Sequence, residues 1–280
     1  MPELPEVHTT VQGLNILINY KITSIKFYSR KLRYKIPTNI SKLLNFTTII
    51  KVYRIGKYII IDLKNHYSLI VHLGMSGRLR LYKESNYDKK KHDHLVLYTK
   101  KNILVFNDAR RFGFIDLSLT KNIYSKKYIK ILGVDALDER LTSSYLMLKT
   151  QKSIVPIKQL LLNQKIISGI GNIYASEILF DAKISPLVQG CNLNLLDIKN
   201  LIRSIKKILI KAIRSGGSSL KDYVSTDGTL GNFQKNFKVY SKQGRKIKGN
   251  EIIRIIQYGR STFYCPKLQL FKKSSKNNYL

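Results

Sequence analysis

Cysteine is almost absent: Cys191 and Cys265 stand far apart and outside any C-x-x-C pair. That excludes a disulfide framework and a four-cysteine zinc site, and leaves two reduced thiols as the simplest reading. Long apolar runs are also missing. The greasiest segments, such as IKKILIKAIR, are broken by Lys or Arg before they reach the ~18 residues a bilayer span needs. The opening MPELPEVH carries Glu3 and Glu6 where a secretory signal needs basic residues, so the chain is expected to stay inside the cell. Acidic residues are scarce, 17 against 50 Lys and Arg, for a net charge of +33. Such an excess excludes an ordinary neutral enzyme and calls for a polyanion. Because the basic residues are spread through an apolar-rich sequence, nucleic acid fits better than a membrane surface. The chain is also heavy in Ile, Lys and Asn, a coding bias that raises Lys everywhere, so charge nominates a partner class and nothing finer.

With 44% hydrophobic residues over 280 positions the chain can bury most of its unfolded surface in one or two cores. A short helix is expected after Pro5, over Glu6 to Asn19. The period then changes to two. KITSIKFYS, IIKVYRIGKYIIIDL, SLIVHLGMSGRLRLY, HLVLYT and ILVFNDARRFGFIDL are rich in β-branched and aromatic residues and predict a β-sandwich or barrel, taken as residues 1–134. Helical spacing follows over 135–235. PIKQLLLN starts at Pro156, the Gly-punctuated SGIGN leads into NIYASEILF, and apolar residues recur from Ile198 to Ile213 until Gly216 and Gly217 end the pattern. The polar stretch SSLKDYVSTDGTLGNFQ reads as a functional loop. Residues 236–280 alternate again around a Gly-rich turn and predict a β-hairpin. The class is therefore α+β with more than one domain: a β-sandwich, a helical part and a hairpin.

Pro2 directly follows Met1, and a small second residue permits removal of the initiator. The proline nitrogen would then be a free secondary amine, titrating near ~7.7–8.0 and partly unprotonated at neutral pH. Attack of that amine on a sugar C1′ gives a permanently cationic iminium, a good electron sink for elimination. PELPE alone is weak evidence and fits an unremarkable extended N-terminus better.

PELPEV, GKYIIIDL, HLGMSGRLR, KHDHL, DARRFGF, GIGNIYASEILF, GGSSLKD and YGRSTFYCP occur in that order along nearly the whole chain. In these motifs the sequence resembles the bacterial formamidopyrimidine-DNA glycosylases, which repair oxidised purines. PELPE rather than PEGPE favours the purine-repair branch over the sister endonuclease VIII group. The resemblance implies a monomer that binds double-stranded DNA carrying oxidised purines or abasic sites, in the bacterial cytoplasm at the nucleoid. It implies Pro2 as the Schiff-base nucleophile, Glu3 as general acid/base, and Lys57 as a phosphate ligand that assists β-elimination. Met75 and Phe112 would be apolar wedges filling the hole left by the extruded base, and Arg110 the partner of the orphaned opposite base. His92 would touch DNA. GIGNIYASE matches the helix-two-turn-helix of the family, with Asn172 on the phosphate beside the lesion and Lys158 as a further contact. Lys221 and Tyr223 lie in the segment that closes over the flipped base. Arg260 would grip the lesion phosphates and help expel the 5′ product.

The sequence departs from the family at its end. The family carries a zinc finger of two C-x-x-C pairs, whereas GRKIKGNEI replaces the first pair and only Cys265 survives of the second. One thiol cannot hold structural zinc, so a zincless hairpin is expected, packed by Ile252, Ile253, Ile255, Ile256, Phe263 and Tyr264, with no cofactor. Asn163 stands where Asp is common, and the basic residue expected before that helix is displaced to Lys152. Two rival readings are an endonuclease VIII-like pocket for oxidised pyrimidines and a non-catalytic protein that recognises abasic or bent DNA.

Overall fold

A computed structural model describes residues 2–29, 31–83, 87–219 and 225–269. The chain divides into two compact units, Met1–Lys130 with Ala212–Gln234, and Ile131–Lys211 with Lys235–Leu280.

The first unit opens with helix α1 (Leu4–Leu14), which has a proline in its first turn, where the missing N–H costs nothing. Leu4, Val7, Val11 and Leu14 recur at helical spacing and are buried. In chain order there follow β1 (Ile22–Phe27), the short helix α2 (Ile40–Leu44), β2 (Ile49–Ile55), β3 (Tyr58–Leu63), β4 (Tyr67–His72), β5 (Arg78–Lys83), β6 (Asp93–Thr99), β7 (Asn102–Asn107), β8 (Phe114–Leu119) and helix α3 (Lys127–Lys130). They form two four-stranded antiparallel sheets, ordered β1-β6-β7-β5 and β2-β3-β4-β8. Alternation decides the layers. Ile59, Ile61, Leu69 and Val71 of one sheet meet Leu95, Leu97, Leu104 and Phe106 of the other, with Val7, Val11 and Leu14 of α1, in one continuous core. Each such side chain contributes roughly 1.5–3 kcal/mol on burial. Ile60 and Ile70 point to the opposite face, where Ile123, Tyr58 and Tyr128 cover them. This is the expected sandwich, with one local correction: Gly56 and Lys57 are not strand residues. They form the two-residue turn between β2 and β3, closed by the Ile55–Tyr58 pair, and Gly56 takes a left-handed φ of 56°.

The second unit holds β9 (Val134–Asp135), α4 (Ser143–Thr150), α5 (Ile157–Leu162), β10 (Ile167–Ser168), α6 (Asn172–Asp181) and most of α7 (Leu195–Arg214). β9 and β10 pair in parallel. Thr142 caps α4 by accepting from the Tyr145 N–H at 3.1 Å. Pro156 precedes α5 and Gly171 precedes α6, so the Gly-rich connection lies between two helices as the sequence predicts. α7 buries Ile198, Leu201, Ile205, Leu209 and Ala212 along one stripe. No helix of the described residues is long and apolar enough to cross a membrane.

The chain then makes two small hairpins, β11 (Lys246–Ile247) with β12 (Asn250–Glu251) and β13 (Ile253–Gln257) with β14 (Arg260–Tyr264). Lys248-Gly249 and Tyr258-Gly259 turn them, each pair with positive φ at both residues, the geometry that matches strand twist in two-residue hairpins. Val239, Ile252 and Phe263 form their core with Phe180, Tyr240 and Ile247. Ile256, expected inside, is 71% exposed, because its neighbours in the alternating strand, Ile255 and Gln257, take the inward side.

Candidate active site

In the first unit, Pro2 and Glu3 are buried immediately before α1. The Glu3 backbone N–H donates to Glu6 Oε2 at 2.8 Å, while Glu6 Oε1 accepts from the backbone N–H of Ser218 at 2.7 Å and from its hydroxyl at 3.0 Å. Glu6 is 1% exposed. Gly217, at φ 78°, lets the chain approach: a Cβ there would meet Glu6 Oε1 at 3.0 Å. One buried carboxylate thus ties the start of the chain to the Gly216-Gly217-Ser218 turn and fixes the backbone beside the proline nitrogen. Met1 lies outside the described residues.

Lys57 is 8% exposed on its turn. His72 ends β4 with its ring against Tyr58 and Phe114, centroids 4.9 and 5.5 Å away. Its Nδ1 accepts from the Gly74 N–H at 3.1 Å. Burial, then the positive charges of Lys57 and Arg33, push the His72 pKa down to about 4. A histidine that titrates near 6.5 when unfolded and near 4 when folded binds fewer protons in the native state. Stability is therefore retained above about pH 6.5 and falls as pH drops towards 4, by on the order of 2–3 kcal/mol. Urea midpoints between those pH values should show this slope, and His72→Gln should flatten it; an equal slope in both proteins would contradict the assignment.

Met75 and Phe112 are exposed apolar side chains, 38% and 43% accessible, on the turns leaving β4 and β7. The Arg110 guanidinium lies over the Phe112 ring, 5.0 Å from its centroid. His92 is half-buried at φ 73° just before β6.

In the second unit, Asn172 is the first residue of α6. Its Oδ1 accepts from Lys158 Nζ at 2.7 Å and its Nδ2 donates to the Ser261 carbonyl at 3.0 Å. Lys158 is wholly buried. Besides Asn172 it donates to the Ser261 carbonyl at 3.1 Å and to Thr262 Oγ1 at 2.7 Å. The lysine thus orients an amide and a strand end inside the unit. Arg260, next to Ser261 on β14, is exposed, as is Lys152 in the turn after α4. Asn163 caps the end of α5 and accepts from the Lys165 N–H at 3.0 Å. Lys221 and Tyr223 lie outside the described residues.

Residues 1–115 match the formamidopyrimidine-DNA glycosylase N-terminal domain, and residues 132–224 match the H2TH domain of the same enzymes. The chain belongs to the formamidopyrimidine-DNA glycosylase family. Among its relatives, the formamidopyrimidine-DNA glycosylase of Zymomonas mobilis is 46% identical over 96% of this chain and 100% of that protein. The Rickettsia conorii enzyme is 44% identical over 96% and 99%. The fold is similar to that of a Lactococcus lactis Fpg mutant in complex with DNA containing Fapy-dG, with a TM-score of 0.89 and 35% identity over 96% of this chain and 99% of that one. The Lactococcus lactis Fpg bound to DNA containing an abasic site gives a TM-score of 0.88 at 34% identity over 95% and 99%.

Against this glycosylase family the hairpin donor set does not suit a zinc finger. Cys265 is buried with its N–H on Gln269 Oε1 at 2.9 Å, and among the described residues no three His, Cys, Asp or Glu side chains gather as metal ligands. Two glutamines hold this region instead. Gln269 donates to the Ile184 carbonyl at 2.9 Å, and Gln257 donates to the Pro186 carbonyl at 3.3 Å while accepting from Thr262 Oγ1 at 2.8 Å.

Several polar residues escape sequence reading. Glu177 on α6 accepts from the N–H groups of Lys238, Val239 and Tyr240 at 2.8–2.9 Å, holding the chain that enters the hairpins. Burial raises its pKa, and those three N–H groups and the Lys242 charge oppose the rise. Glu177 looks like a surface position in NIYASE, and only its partners some 60 residues away reveal it. Glu6 left a weak signal, since an acidic residue three positions after another at a helix start is capping spacing.

Proposed function

We propose that this chain is a bifunctional DNA glycosylase and abasic-site lyase of base excision repair, acting on double-stranded DNA with oxidised purines or abasic sites. The observation that carries the proposal is full-length membership of the glycosylase family together with a Pro2-Glu3 start. Once Met1 is removed, the Pro2 nitrogen attacks C1′ of a flipped 8-oxoguanine or formamidopyrimidine nucleotide. The base leaves with the electrons of its C1′–N bond and takes up the proton that the amine gives up; the C1′–O4′ bond then breaks as the proline lone pair forms C=N, O4′ takes a proton from Glu3, and a ring-opened iminium remains. Loss of a C2′ proton expels the 3′ phosphate, and a second elimination expels the 5′ phosphate, leaving a one-nucleoside gap. Lys57, Asn172 and Arg260 hold phosphates, and His92, Lys152 and Lys221 add DNA contacts. Lys158 acts by orienting Asn172. Met75, Arg110 and Phe112 fill the hole in the duplex, a step worth the few kcal/mol that unstacking costs. A net charge of +33 suits this partner, and affinity should fall with a log-log salt slope near −0.9 per phosphate contacted. Such a protein works in the bacterial cytoplasm, at the nucleoid, as a monomer.

Oxidised-pyrimidine repair is the second reading, favoured by one observation: the Lactococcus Fpg has also been solved with DNA containing an oxidised pyrimidine. Duplexes carrying 8-oxoguanine, formamidopyrimidine, an oxidised pyrimidine or an abasic site separate the readings. Purine lesions should be cut with kcat/KM at least about tenfold above the pyrimidine. The reverse preference overturns the substrate, and no cutting of any duplex leaves a binding protein.

The hairpins require no zinc in this proposal. Protein purified without a His tag should carry far less than one zinc per chain and keep its activity in chelator. Stoichiometric zinc by metal analysis would refute this.

A further inference from the structure

Two turns carry the wedge residues, and the sheet topology sets them side by side. The turn after β4 runs from the sheet containing β4 to the sheet containing β5. The turn after β7 runs the opposite way, from the sheet containing β7 to that containing β8. Ladder pairs bracket both, His72 with Phe114 on one side and Arg78 with Asn107 on the other. Between the brackets the backbones touch. A Cβ on Gly74, at φ 62°, would lie 2.4 Å from Gly113 N and from the Phe112 carbonyl carbon.

A buried polar link joins them as well. Ser76 Oγ donates to Asp108 Oδ1 at 2.5 Å, and both residues are buried, at 5% and 0% exposure. The Arg110 N–H donates to Ser76 Oγ at 3.1 Å and to Asp108 Oδ1 at 3.3 Å, while the Gly113 N–H donates to Asp108 Oδ2 at 2.8 Å. Asp108 is itself anchored to the sheet. Its carbonyl accepts from His94 Nε2 at 2.8 Å, and its N–H donates to the His92 carbonyl at 3.1 Å. A carbonyl only accepts, so His94 carries its proton on Nε2.

We propose that Ser76 and Asp108 are positioning residues that lock the two turns into one body, so that Met75 and the Arg110–Phe112 pair enter the duplex together. The proposal rests on the hole-filling role given above. Charge-assisted hydrogen bonds at this depth are strong and directional, and groups sharing such a network do not act independently. Without the link, each turn would keep its ladder bracket yet move alone, and a partly filled hole lets the extruded base return. Both residues are buried inside the fold, so the chemistry of the amine should be untouched.

The test compares a duplex containing 8-oxoguanine opposite cytosine with a single-stranded abasic oligonucleotide, which has no hole to fill. In Ser76→Ala and Asp108→Asn the duplex excision rate should fall about tenfold or more while single-strand β-elimination stays within about twofold. Ser76→Thr, which keeps the hydroxyl, should recover duplex excision. In the otherwise native protein, the effects of Met75→Ala and Phe112→Ala on duplex excision should fail to multiply, and in the Ser76→Ala background they should multiply. Equal losses on both substrates would mean that the pair only supports the fold, and independent wedge effects in the native protein would refute the single body. A native protein that cuts the abasic strand but shows no dependence on Met75 or Phe112 removes this inference alone; one that cuts neither substrate removes the glycosylase reading with it.

Discussion

Protein that retains Met1, or that carries Pro2→Gly, is expected to give no covalent band when borohydride is added to a mixture with duplex containing 8-oxoguanine or an abasic site. The native protein should give one. The reason lies in which atom ends the chain. With Met1 in place the proline nitrogen is an amide, its lone pair delocalised into the carbonyl, and it cannot form an iminium. The methionine amine that replaces it sits one residue away from the position fixed by the Glu3–Glu6–Ser218 hydrogen bonds. Glycine supplies a primary amine without the ring that sets the proline dihedral, so it loses both the secondary amine and the fixed approach. Base release coupled to strand cutting should drop at least about 10³-fold in either form, since a nucleophile and its placement are lost together. Duplex binding should persist, because the proposed phosphate contacts come from other residues. Strong trapping by Met1-retaining protein would show that a different amine, Lys57 being the nearest candidate by sequence motif, carries the chemistry.

Lys158→Met should be the most destabilising single change among the basic residues. Removing an ammonium that is 0% exposed leaves Asn172 Oδ1, the Ser261 carbonyl and Thr262 Oγ1 without their shared donor. Leaving buried acceptors without their donor costs about 1–3 kcal/mol, read as a lower urea midpoint at unchanged slope. Changes at exposed lysines such as Lys152 should stay within about 0.5 kcal/mol. Asn172 would also lose the bond that decides which end of its amide points inward. Affinity for an abasic duplex at fixed salt should then fall by about tenfold or more. Stability and affinity close to those of the native protein would mean that the lysine is dispensable and that its cluster does not orient Asn172.

The two-residue period of the strands was legible because the sandwich buries a face of every strand, and so was the helical period of α7. Gly56-Lys57 is hidden in the sequence because apolar residues continue on both sides of it, and the Ile55–Tyr58 pair with the left-handed φ at Gly56 shows that the chain reverses there. α2 and α3, of five and four residues, are too short for any period to declare itself. At the candidate site, the motif residues were assigned through the resemblance to the family, while the groups that hold them could not be named. Lys158, Glu177 and Asp108 are charged residues whose partners lie on distant segments or in a turn whose course local pattern does not specify. A sequence shows their charge but not the cavity that makes each of them an internal fastener.

The hairpins at the end of the chain bear on a hazard peculiar to this kind of work. The oxidants that damage guanine also attack zinc-bound thiolates, driving them to sulfenic acid and beyond until the metal is lost. Here the fastening is done by the carboxamides of Gln257 and Gln269 and by packed Val239, Ile252 and Phe263, groups with no thiolate to lose, and the one sulfur among the described residues of this segment, on Cys265, is sealed from solvent. The part of the molecule that carries Arg260 is therefore expected to stay assembled under peroxide, when the lesions it is proposed to meet are most abundant.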